Sequence, residues 1–139
     1  MVSVVDSNLL LVLASGDPRA PAVRALIAGW LASGEAVHAP ALLPYEVANG
    51  LTRLVAVGRL PPDRLAAAWQ TAMALPILFH PVENDGDQIA AVGVRLGRQS
   101  AYDAAYLVLA QELGAELWTL DGPLARNASG LGYAVRLVI

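Results

Sequence analysis

Short apolar runs alternate with stretches of helical periodicity along the chain. Ser3-Val4-Val5 is a candidate for a buried strand. It ends in Asp6-Ser7-Asn8, three residues that favour turns and helix N-caps, and a helical stretch over residues 9–14 follows. Asp17-Pro18 breaks that stretch. Pro21 opens a helix whose apolar positions Val23, Leu26, Ile27 and Leu31 recur at helical spacing until Gly34 closes it. Residues 36–39 predict a second strand. From Pro44, the stripe Val47, Leu51, Leu54 and Val55 predicts a helix that stops near Gly58, and another runs over residues 62–73 with Asp63 in its first turn. Residues 77–80, before Pro81, predict a third strand, and residues 89–96 a helix ended by Gly97. Ser100 then opens a helix over residues 101–113, in which Asp103 completes the pattern of a capping box. A fourth strand over residues 116–120 leads into Asp121-Gly122-Pro123 and a short helix to Ala128. Residues 133–138 predict the last strand. Strands alternating with helices in this way predict a three-layer α/β/α sandwich around a mostly parallel central sheet of about five strands.

Composition narrows the class. At 139 residues the chain has the length of one domain, 1–139, and no repeat, linker or low-complexity tract divides it. With 56% hydrophobic and 15% charged residues it has the material for a core and is unlike a disordered chain. The absence of cysteine removes any disulfide framework and any thiolate chemistry, which fits a cytoplasmic protein. The apolar start lacks a basic leader and is interrupted by Asp6, Ser7 and Asn8. No run of 18 apolar residues occurs, so neither a signal peptide nor a membrane span is expected. The net charge is −3, from twelve acids and nine arginines without a lysine. That balance weighs mildly against a nucleic-acid binder, unless divalent cations reverse the sign of an acidic cleft.

The placement of the acids is more telling than their number. In an open parallel sheet, ligands gather beyond the carboxyl ends of the strands. Asp6 directly follows the first predicted strand and Asp121 the fourth. Glu46 falls in the first turn of the helix after the second strand, and Asp103 in the first turn of the helix before the fourth. Each has a simpler explanation taken singly. Asp6 and Asp121 suit turns or N-caps, Asp103 suits the capping box with Ser100, and Glu46 suits the positive end of a helix. Caps do not explain why four such positions share one rim.

Chemistry supplies a reason. Crowded carboxylates repel one another unless cations compensate. An all-oxygen ligand set suits Mg²⁺ or Mn²⁺, and such ions activate water and stabilise charge during phosphodiester hydrolysis. No other nucleophilic arrangement competes. His38 and His80 lie inside predicted strands, as fillers of the core or its edge, and there is no Walker loop, dinucleotide fingerprint or serine elbow.

Four segments together resemble PIN-domain proteins, and most nearly the VapC toxins of toxin–antitoxin pairs. They are Val4-Val5-Asp6-Ser7-Asn8-Leu9-Leu10, Pro40-Ala41-Leu42-Leu43-Pro44-Tyr45-Glu46-Val47-Ala48-Asn49, Tyr102-Asp103-Ala104-Ala105-Tyr106-Leu107-Val108-Leu109-Ala110 and Thr119-Leu120-Asp121-Gly122-Pro123-Leu124-Ala125. By that resemblance Asp6, Glu46, Asp103 and Asp121 match the family's acidic quartet. It implies Asp6 and Asp103 as direct ligands of Mg²⁺ or Mn²⁺, and Asp121 as a ligand directly or through water. Glu46 would serve a second ion or position the attacking water. Ser7, Asn8 and Thr119 would be supporting or phosphate-facing groups. The resemblance further implies an endoribonuclease acting on structured RNA of tRNA or rRNA type, a homodimer, and neutralisation by a small antitoxin.

Other readings stay open at this point. A PIN-fold RNA-processing nuclease outside a toxin–antitoxin pair would share every motif, and a neighbouring antitoxin gene separates the two. A catalytically silent PIN-fold binding protein would keep the acids but not the cleavage. A response-regulator-like domain also places acids beyond its strands, but that chemistry normally needs a lysine, and there is none. Arg53, Arg59, Arg64, Arg95 and Arg98 are candidates for RNA contact. The run Glu83-Asn84-Asp85-Gly86-Asp87 is read as a solvated helix start rather than as extra charge at the cleft. Leu10, Leu31, Leu54 and Val55, with Trp30 and Trp69, are candidates for an exposed apolar seam that meets a second copy or the antitoxin.

Overall fold

The computed structural model describes residues 1–139. β1 (Val2–Val5) leads through α1 (Ser7–Ser15) and α2 (Ala20–Ser33) to β2 (Ala36–Pro40). α3 (Leu43–Ala56), a 3₁₀ turn (Pro62–Arg64) and α4 (Leu65–Ala72) then reach β3 (Leu78–His80). α5 (Gly86–Arg95) and α6 (Tyr102–Leu113) return the chain to β4 (Glu116–Thr119), and α7 (Gly122–Gly130) joins it to β5 (Val135–Leu137). All five strands are parallel, in the order β3-β2-β1-β4-β5. The chain builds outward from β1 to β3 and then jumps back to place β4 on the other side of β1. The strand order therefore reverses between β1 and β4, and a crevice opens beyond their carboxyl ends.

Successive strand residues point to opposite faces, yet Ser3, Val4 and Val5 are all buried. Both faces of the sheet are thus covered, as a parallel sheet requires. α6 lies against β1, β2 and β4 with α5 packed on it, while α1 packs with α2, α3 and α4 as a second group. Residues 104–110 of α6 are buried without interruption. A helix apolar all round belongs inside, and only its amino-terminal turn, with Asp103, opens onto the crevice. The Leu11 side chain of α1 packs onto Gly50 of α3, where an ideal Cβ would lie 2.5 Å from Leu11 Cδ1.

Several sequence expectations move. The first helix begins at Ser7, which puts Asp6 at its N-cap position, but the Asp6 side chain makes no capping bond. Ser100 caps nothing. α6 starts at Tyr102 with Ala101 at the cap position, so Asp103 belongs to no capping box and its carboxylate is free for other partners. The apolar seam is largely dissolved: Leu10 and Trp30 are buried in the core, Leu54 and Val55 are half-buried against it, and Leu31 stays exposed. α1 is enclosed by three other helices, so its apolar residues have partners within the chain. Trp30 meets Trp118 edge-to-face with ring centroids 5.7 Å apart. Trp69 remains partly exposed. His38 and His80 pair across β2 and β3 at the edge of the sheet, with Nδ1 and Nε2 separated by 2.7 Å. No helix is long and apolar enough to cross a membrane.

Candidate active site

The register brings the first and last acids together. Val5 lies opposite Trp118, and the Asp6 N–H extends the ladder by donating to the Trp118 carbonyl at 3.0 Å. Asp6 therefore stands beside Thr119, the last residue of β4. The Thr119 hydroxyl donates to Asp6 Oδ2 at 2.8 Å, and Asn8 Nδ2 donates to the same oxygen at 3.2 Å. Asn8 also accepts from the Leu120 N–H at 3.2 Å, which ties the start of α1 to the loop carrying Asp121. Asp121 caps α7 by accepting from the Leu124 N–H at 3.0 Å through Oδ1. The bland reading of Asp121 is thus correct as far as it goes, and its second oxygen makes no hydrogen bond within the chain.

Asp6 is only 6% exposed, and no cation pairs with it. Burial pushes its carboxyl from 3.8 up to about 7. The Thr119 hydroxyl works against this rise, while the Asp103 and Glu46 carboxylates add to it. Glu46 is raised chiefly by burial and further by Asp103, and Asp103 chiefly by burial and further by Asp121, with Arg98 opposing. These mutual repulsions link all four acids, with Asp103 the partner common to the other three. Asp6 Oδ1 meets the Ser7 hydroxyl at 3.5 Å, the limit of a hydrogen bond.

Ser7, Glu46 and Asp103 line a cleft of about 560 Å³, together with Leu11, Leu42, Tyr45, Asn49, Gly50, Arg53, Ser100 and Tyr102. Its donors are oxygens held near one another against their repulsion, which is the chemistry of a hard divalent cation site. No three His, Asp or Glu side chains are close enough to enclose an ion between them. The donors are all oxygens, which suits an ion that rests on one or two carboxylates and keeps its waters, the ordinary mode of Mg²⁺.

Sequence inspection missed two neighbours of the cluster. Tyr106, buried and three residues beyond Asp103 on α6, donates its hydroxyl to Glu46 Oε1 at 2.6 Å. Burial, with Glu46 and Asp6 nearby, keeps that phenol protonated. The i, i+3 spacing from Asp103 was the available signal. Arg126 folds back over Gly122 beside Asp121, so that a Cβ there would lie 3.1 Å from its Nη1. Among the expected arginines, Arg53 borders the cleft and Arg98 stands 3.7 Å from Asp103. Arg95 is engaged with Tyr133, Arg59 lies toward Asp17, and Arg64 lines a separate groove beside α4. The run of residues 83–87 leads into α5, which begins at Gly86. Asp85 there faces His80 and Glu112 in a different hollow, away from the quartet.

Comparison with known proteins identifies the family. The family profile described as "PIN domain" matches residues 3–129. The chain is 36% identical over 118 residues to "VapC ribonuclease Mb0985" of Mycobacterium bovis, covering 85% of this chain and 84% of that protein. It is 29% identical over 135 residues to "Ribonuclease VapC3" of Pyrobaculum aerophilum, covering 94% and 98%. Among solved structures, PAE2754 from Pyrobaculum aerophilum superposes with a TM-score of 0.68 at 24% identity, over 97% of this chain and 83% of that one, a likeness of fold. By the profile, the relatives and the architecture, this chain belongs to the PIN-domain family.

Proposed function

We propose that this chain, acting as a single domain, is a cytoplasmic, divalent-cation-dependent endoribonuclease of the toxin type. It would cleave structured RNA of the tRNA or rRNA class, act as a homodimer, and be neutralised by a small cognate antitoxin that reaches the cleft. The observation that carries this reading is the gathering of Asp6, Glu46, Asp103 and Asp121 around a buried, cation-less carboxylate at the β1/β4 crevice. The names of the mycobacterial and archaeal relatives give the reaction class.

In this reading Asp6 and Asp103 hold Mg²⁺ or Mn²⁺ directly. Asp121 holds it directly or through water, and Glu46 serves a second ion or positions the attacking water. A bound ion supplies an activated water and neutralises charge on the phosphodiester. The chain's own contribution is orientation. Thr119 and Asn8 fix the Asp6 carboxylate, Tyr106 fixes Glu46, and Ser7 stands between them. Arg98, 3.7 Å from Asp103, would meet a phosphate oxygen there.

The test is incubation of purified protein with total cellular RNA in Mn²⁺, in Mg²⁺ and in EDTA. Discrete products that need the metal support the proposal and identify the target. Intact RNA in every condition, from folded protein free of any antitoxin, would favour a silent binding protein on the same fold.

A further inference from the structure

One helix face leads out of the acid cluster. Tyr45, Asn49 and Arg53 follow one another at intervals of four along α3, so they form a single stripe, and all three border the cleft. Across the cleft stands Tyr102, one residue before Asp103. Tyr45 and Tyr102 are 80% and 62% exposed, the two most exposed aromatic rings in the chain, and both lie here. Neither hydroxyl makes a hydrogen bond, and the Arg53 guanidinium has neither an ion pair nor a hydrogen bond. Arg19, Arg98 and Arg136, by contrast, are each paired with an acid. In a chain of net charge −3, an unpaired cation beside carboxylates is well placed for an incoming anion.

We propose that Tyr45 and Tyr102 are stacking surfaces for unpaired bases on either side of the cleaved bond, and that Arg53 holds a phosphate of the same strand, with Asn49 between them. The inference rests on the nuclease reading above and adds the residues that position the strand. A ring face accepts a base only when that base is out of a helix, so the track selects unpaired nucleotides over duplex. Aromatic rings and a cation lining one cleft are the combination that binds single strands, the rings taking bases and the cation a phosphate. A protein partner would instead favour the apolar groove on the far side of Tyr102, lined by Leu42, Val82, Ile89, Ala101 and Ala105.

The test uses the Asp6→Asn protein in Mg²⁺, so that binding is read without cleavage. Its affinity is measured for a labelled unpaired oligoribonucleotide and for the same sequence as duplex. Added Tyr45→Ala or Tyr102→Ala should each weaken single-strand binding roughly 5- to 100-fold. Tyr45→Phe should bind as the parent does, because the ring and not the hydroxyl is used. Arg53→Gln should reduce the salt dependence of binding by about one phosphate contact. Duplex binding should be unmoved by the tyrosine changes. In the otherwise unaltered enzyme the tyrosine variants should raise KM and leave kcat nearly unchanged. These side chains are exposed, so thermal melting should confirm folded variants.

Parental single-strand affinity in both alanine variants would overturn the proposal. If the unaltered enzyme still cleaves RNA with metal, only the track has failed. Failure of the unaltered enzyme to bind or cut any RNA would sink the track and the nuclease reading together.

Discussion

With its carboxylate buried and two others pressing on it, Asp6 is ionised at neutral pH only against the preference of the fold. The folded chain keeps the proton up to about pH 7, whereas the ordinary carboxyl loses it near 3.8. Between those values the folded state binds more protons than the unfolded one, so stability falls as pH rises through this window and levels off above it. In EDTA, Asp6→Asn should therefore melt with the wild type near pH 4 and clearly above it at pH 7.5, by on the order of a few kcal/mol at most. His38, lowered by burial and by His80, shifts stability the opposite way in part of the same range. The difference between the two proteins, not the wild-type curve, isolates Asp6. An offset independent of pH, or a less stable variant at pH 7.5, would contradict this account of the site. Tyr106 gives a second test at this scale. Tyr106→Phe removes the donor that fixes Glu46 and should lower metal-dependent cleavage or metal affinity about 10- to 100-fold. A change of less than twofold would mean that the hydrogen bond only fills the core.

At the scale of elements, hydrophobic periodicity was a good guide wherever one face decided the outcome. The stripe Val47, Leu51, Leu54, Val55 predicted α3, and Leu51 is indeed buried. Leu51→Ala should cost ~2–5 kcal/mol in denaturant unfolding without shifting the metal requirement. An unchanged midpoint would show that α3 is not clamped there. The same pattern misled for α1, which is buried on more than one side, so that Leu10 looked like spare surface. Helix starts were the other weak point. Ser100 offered the chemistry of an N-cap, but burial of residues 104–110 set where α6 lies, and its first turn begins at Tyr102 instead. That shift of the boundary releases Asp103 from a structural duty and leaves it to the cluster.

Across the whole molecule, the alternation of strands and helices was enough to place four acids on one rim, because in a parallel sheet every carboxyl end faces the same way. What the sequence did not carry was the packing that returns distant side chains to that rim. Tyr106 reaches Glu46 across the two elements that hold them, and Arg126 lies over Gly122 only because of how its side chain folds back. The surplus of acids also becomes intelligible at this scale. Arg53 borders the cleft and Arg98 stands beside Asp103, so part of the acids' charge is offset locally. The central claim is that the carboxylates around Asp6 hold the ion that RNA hydrolysis requires. The most direct measurement is a calorimetric titration of Mn²⁺ into the wild type, Asp6→Asn and Asp103→Asn, with RNA cleavage recorded on the same samples. The account predicts saturable binding and metal-dependent cleavage in the wild type, and loss of both in each variant while the fold is kept. Folded variants that bind Mn²⁺ and cut RNA as the wild type does would contradict it.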